Sequence, residues 1–108
     1  MVLTNAFSLQ MLTNTSATIT VEEVQPTKEL LQECDNSLGH KDICDLLNGM
    51  FGTSLVPNRK SDRLSDGDSV LVAQYTGGRL PEGAISLPEG ASLKFLKVTV
   101  KYWYLKET

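Results

Sequence analysis

At 108 residues the chain has the length of one domain, able to bury roughly two thirds of its unfolded surface, and its 41% apolar and 21% charged residues are those of an ordinary globular protein. A net charge of −3 denies it a global basic field, which excludes a bulk coat for long nucleic acid but allows a small anion gripped by a few arginines. One histidine and two cysteines leave a zinc site poorly supplied, and no apolar run reaches the roughly 18 residues that a bilayer requires.

The start of the chain lacks the basic segment and apolar block of a signal peptide, so a reduced, cytoplasmic setting is expected. Cys34 lies in line with Leu30 and Leu31, and Cys44 falls on a helix flank; both read as buried thiols rather than a bridge. Neither a metal nor a cofactor is expected.

In chain order, residues 2–9 read as a first strand whose one face carries Leu3, Asn5, Phe7 and Leu9. Asn5 puts an amide into an apolar row. It is either a plain surface feature or, with Ser8, a set of donors and acceptors at a ligand-facing edge. Residues 13–17 are a polar connection, and 18–21 a short β-branched strand. Pro26 and Thr27 open a first helix that ends at Asp35 and Asn36.

A second, amphipathic helix follows over 36–51, with Ile43, Leu46, Leu47, Met50 and Phe51 on one face. Asn36 or Ser37 is the expected cap and Gly52 the stop. This places His40 in the first turn, off the outer face. A titratable ring beside free backbone N–H groups is suited to phosphate, although a histidine there also serves as a plain structural residue.

Residues 53–59 look like a strand edged by Pro57. Arg59, Lys60 and Arg63 form the densest basic cluster, a solvated face or a phosphate contact. Asp66-Gly67 signals a turn, and 69–75 is the clearest strand, with Val70, Val72 and Gln74 opposite Leu71, Ala73 and Tyr75. A loop carries Gly77-Gly78-Arg79-Leu80-Pro81-Glu82-Gly83, and its Leu-Pro-Glu-Gly returns at 87–90. The last strand spans about 92–105. Its alternation slips at Phe95-Leu96, which suggests a bulge, and Trp103 suggests an exposed edge and a partner surface.

The pattern predicts an α+β (α/β-like) fold over 1–108: a single mixed sheet of about five strands, with two or more helices packed on it. Both helices fall between the second and third strands.

Asn5-Ala6-Phe7-Ser8 with Met11-Leu12, Ser37-Leu38-Gly39-His40, Asn58-Arg59, Val72-Ala73-Gln74 and Arg79-Leu80-Pro81-Glu82-Gly83 occur in an order that resembles the viral ring nucleases. These small anti-CRISPR proteins destroy cyclic tetra-adenylate, and close relatives accompany type III CRISPR genes in cells. The resemblance spans nearly the whole chain. It implies a homodimer with a pocket across the two-fold axis, catalytic roles for His40 and Glu82, and ligand contacts at Asn5, Ser8, Gly39, Arg59, Gln74 and Arg79. The Gly77-Gly78 spacer before Arg79 departs from the pattern. Glu82 is preferred to Glu89 because only it has an arginine three residues earlier.

The implied chemistry suits these side chains. An RNA phosphodiester carries its own nucleophile, so cleavage needs in-line alignment and a proton for the leaving 5′-oxygen. Histidine is the side chain whose reference pKa lies closest to neutrality. Glu82 would orient it or take the 2′-hydroxyl proton, the arginines would hold phosphate, and the amides and Ser8 would read ribose and adenine. The alternatives are a non-enzymatic protein that binds nucleic acid or sequesters the cyclic oligonucleotide, with Arg59, Lys60 and Arg63 on a backbone, and an interaction protein built around Trp103.

Overall fold

The strand β4, Ser69–Thr76, sends Leu71, Ala73 and Tyr75 into one apolar core and Val70 and Val72 into another. A strand apolar on both sides belongs inside a sheet covered on both faces. The computed structural model, which describes residues 1–14 and 16–103, places it there. With β1 (Val2–Thr4), β2 (Ala17–Val24), β3 (Asp35–Asn36) and β5 (Ser92–Tyr102) it forms a five-stranded mixed sheet in the order β2-β5-β4-β1-β3. β1 runs parallel to β3 and β4; β5 runs antiparallel to β2 and β4.

Two helices seal one face. α1, Lys28–Glu33, begins at Thr27, whose side chain accepts from the Leu30 N–H at 3.1 Å. α2, Lys41–Phe51, buries Ile43, Cys44, Leu46 and Leu47 against Leu3, Leu31, Leu38 and Leu71. The Phe51 ring meets Phe95 edge to face, centroids 5.6 Å apart. Gly52 closes α2 in the left-handed conformation, as its sequence position implies. Among the described residues no helix is long and apolar enough to cross a membrane.

Among the described residues the other face carries no α-helix. Leu64, Val70, Val98, Val100 and Tyr102 form its core, topped by Phe7, Met11 and Leu12 from the chain after β1. The Tyr102 hydroxyl donates to the Leu64 carbonyl at 2.6 Å and accepts from the Thr13 N–H at 2.8 Å, tying that cover down.

Several sequence expectations are corrected. The first strand stops at Thr4, because the Thr4 hydroxyl bonds the Ala6 backbone and Ser8 caps a 3₁₀ turn, Leu9–Met11. Asp35 and Asn36 form β3 rather than ending a helix. The 53–59 segment is not a strand: Asn48 bonds Thr53 and both backbone groups of Leu55, while the Asn36 Nδ2 donates to the Val56 carbonyl. Asparagine side chains thus take the place of a ladder.

β5 has no bulge, since Phe95 and Leu96 pair in unbroken register with both neighbours. Its slip in alternation marks the point where the strand changes core, with Phe95 on the helix side and Leu96 on the other. β5 is also interior, and the edges are β2 and β3. Trp103, 73% exposed, donates its indole N–H to the Thr18 hydroxyl at 2.6 Å. Tyr104 and Leu105 lie outside the described residues.

Cys34 is half-buried and Cys44 buried, and both are free thiols, as expected. Burial, the largest influence on each, pushes both thiols up.

Candidate functional site

Because β1, β3 and β4 are parallel, their carboxyl ends share one rim of the sheet. In open sheets with parallel strands this rim is where ligands settle. Asn5 leaves β1 there, Gly39 and His40 lie between β3 and α2, and Gln74 lies near the end of β4. The rim gathers residues far apart in the chain.

His40 occupies the N-cap position of α2 rather than its first turn, and neither Asn36 nor Ser37 caps the helix. Asn36 is committed to β3, and its Oδ1 accepts from the Leu38 N–H at 2.9 Å. Ser37 is buried, its hydroxyl without a partner among the described residues. The His40 side chain makes no capping bond and is exposed. Its ring is therefore free to face a cleft of about 390 Å³, lined by Asn5, His40, Asp42, Tyr75, Arg79 and Leu80 among others.

The Arg59 Nη2 lies 3.5 Å from the His40 Nε2. Arginine only donates, so this contact uses the lone pair of the imidazole. Arg59 is carried there by a clamp: the Asn58 side chain donates to the Asn36 carbonyl at 2.9 Å and the Asn58 N–H to Leu38 at 2.7 Å. The guanidinium then packs over Gly39, whose N–H donates to the Asn5 Oδ1 at 3.3 Å. The motif residues Asn5, Gly39, His40 and Arg59 thus form one contact chain.

Arg79 lines the same cleft and also a second recess of about 500 Å³, shared with Lys41, Asp42, Asp45 and Glu82. Glu82 lines that recess and not the His40 cleft. The carboxylate that shares the cleft with His40 is Asp42, whose Oδ1 accepts from the Ile43 N–H at 2.7 Å. Asp42 and Tyr75 were missed in the sequence. An acid in the first turn two residues after His40 was the signal for one, and the Leu71-Ala73-Tyr75 face for the other. The Tyr75 hydroxyl donates to the Gly78 carbonyl at 2.9 Å, which holds the Gly77-Gly78 spacer and so directs Arg79 to the cleft.

Two expected contacts lie elsewhere. Ser8 is exposed and caps the 3₁₀ turn, accepting from the Gln10 N–H at 3.2 Å, away from the cleft. Gln74 is at the rim but on the opposite face of the sheet, where Asn5, Phe7, Val21, Val72 and Leu96 line an apolar depression with it. Asn5 lines both the cleft and this depression. The basic cluster is dispersed: Lys60 pairs with Asp35 at 2.7 Å, Arg63 donates to the Gln10 carbonyl at 3.1 Å, and Arg59 turns to His40. A dispersed cluster is a poor track for a nucleic-acid backbone. No three His, Cys, Asp or Glu side chains among the described residues are grouped so as to hold a metal ion.

A family model described as STIV B116-like matches residues 1–96. The chain belongs to the STIV B116-like family. Its fold is that of B116 of Sulfolobus turreted icosahedral virus, with a TM-score of 0.71 and 30% identity over 89% of this chain and 95% of that one. The uncharacterized protein ORF116 of Acidianus filamentous virus 1 is 32% identical over 74 residues, 68% of this chain. The match spans 63% of the length of ORF116. Both relatives are viral proteins.

Proposed function

We propose that this STIV B116-like protein is a ring nuclease: a metal-independent phosphodiesterase that binds cyclic tetra-adenylate across a homodimer and cleaves it to linear di-adenylates. Its effect would be to switch off type III CRISPR second-messenger signalling, an anti-CRISPR role. The observation that carries the reading is the exposed His40 imidazole 3.5 Å from the Arg59 guanidinium, at a helix start and in a cleft with Arg79. It joins one proton-transfer group to cations suited to phosphate.

The step runs as follows. The 2′-oxygen attacks the adjacent phosphorus and gives up its proton to solvent. The bond from phosphorus to the 5′-oxygen breaks, and protonated His40 donates to that departing oxygen, leaving a 2′,3′-cyclic phosphate and a 5′-hydroxyl. A phosphate oxygen competes for Arg59 and frees Nε2 to carry the proton. Arg79 meets charge on the pentacoordinate centre. Glu82 shares the second recess with Arg79 and would orient that guanidinium toward the phosphate.

The homodimer is part of the proposal. The apolar depression on the second face, with Val21 exposed, is a surface that a second copy would cover, bringing two rims and two Gln74 residues side by side. Two His40 residues on a ring of four equivalent linkages cut opposite linkages.

The test is incubation of the purified protein with cyclic tetra-adenylate in excess EDTA, with products followed by chromatography. Di-adenylates ending in 2′,3′-cyclic phosphate are the expected result. Tight binding without turnover would make the protein a sponge for the ring, and no binding at all would overturn both readings.

A further inference from the structure

Glycine inside a helix is unfavourable, so Gly49 in the last turn of α2, ahead of the Gly52 cap, calls for a reason. A Cβ there would collide with the Cβ and the carbonyl oxygen of Ile85, and would lie 2.6 Å from its Cα. The chain between β4 and β5 therefore presses its backbone onto α2 at this residue. Lys41, Asp45 and Gly49 are spaced by four and form one stripe along the helix. Lys41 and Asp45, joined by a 2.7 Å ion pair, face Arg79 and Glu82 across the second recess. The strap thus follows the stripe from the start of α2 to Gly49.

The repeated tetrapeptide explains how it is held. Each copy makes the same turn: the Ala84 N–H donates to the Pro81 carbonyl at 3.2 Å, and the Ala91 N–H to Pro88 at 3.1 Å. Gly83 and Gly90 take φ of 73° and 80°. The leucine before each turn is a peg, Leu80 buried in the helix-side core and Leu87 packed against it. Ile85 sits between the two pegs.

We propose that Gly49 is a positioning residue: its bare backbone seats the 79–91 strap, and the seat holds Arg79 and Glu82 over the first turn of α2. The proposal rests on the ring-nuclease reading for its effect on turnover, but the seat itself has an independent readout. The test is Gly49→Ala, followed by hydrogen exchange at the Ala84 amide and by steady-state cleavage of cyclic tetra-adenylate. Alanine is the better helix former, so α2 amides and the melting temperature should hold while Ala84 exchanges faster. Turnover kcat/KM should fall roughly 10- to 100-fold, with the shape of its pH profile unchanged because His40 is untouched.

Ile85→Gly loosens the same seat without burdening the helix and should give a smaller effect in the same direction. It carries the test if Gly49→Ala fails to fold. Unchanged Ala84 exchange in the folded variants would overturn the seat, and faster exchange with parental turnover would overturn its positioning role. If the parent does not cleave the ring, the functional reading falls, and Ala84 exchange still decides the seat.

Discussion

The two faces of the sheet solve burial differently. On the helix side Leu3, Leu31, Leu38, Leu46 and Leu47 are fully buried, and α2 is fixed on every turn. On the other side a short 3₁₀ turn and Leu64 cover one half, and the rim half is left as a depression beside Val21, which is 56% exposed. A sealed face fixes the backbone at its rim, and so sets where the exposed His40 and Arg59 side chains emerge. An open apolar face can accept a second copy. The proposed site needs both.

Removing packing from the sealed face should cost most. Leu47→Ala should lose about 2–5 kcal/mol in denaturant unfolding, and a loss under about 1 kcal/mol would show that this core collapses around the gap. Next is the covered half of the other face. Tyr102→Phe strands the Thr13 N–H and leaves the Leu64 carbonyl with the Thr13 hydroxyl alone, at 3.2 Å, and should cost about 1–3 kcal/mol. On the open half, Val21→Lys should shift sedimentation from dimer to monomer, while unfolding compared at dilutions where the parent is also monomeric changes by under about 0.5 kcal/mol. A variant that stays dimeric would place the two-fold axis elsewhere.

The smallest effect belongs to a turn. Asp66 accepts from the Tyr102 N–H and pairs with Lys101, and these, the backbone bond foremost, hold its carboxyl below the usual carboxylate range. A depressed folded pKa stabilises above the unfolded value and is lost as pH falls through the folded one. Asp66→Asn should therefore melt below the parent at pH 7, with the gap closing below about pH 4. An equal gap at both pH values would contradict this.

What could be read from the sequence follows from physical scale. The spacing of Ile43, Leu46 and Leu47 announced α2, and the alternation of Val70 to Tyr75 announced β4, because each pattern repeats over several residues. β3 has two residues and no period to read, while 53–59 has strand composition but owes its path to Asn36 and Asn48. Met50, expected in the core, is 41% exposed, whereas Cys44, expected on the flank of the helix, is fully buried. At the rim, Asn5, Gly39, His40, Arg59 and Arg79 lie around one cleft and its edge. Ser8 does not join them, Gln74 is behind the sheet, and Glu82 is one recess away. A motif orders residues along the chain, but the pleat and the strap decide which side each one takes.

The most direct measurement is single-turnover cleavage of cyclic tetra-adenylate by parent and His40→Ala, with ring affinity measured on both. A proton donor at this rim predicts cleavage slowed roughly 10²–10⁴-fold with the ring still bound. Cleavage by His40→Ala at the parental rate would contradict it.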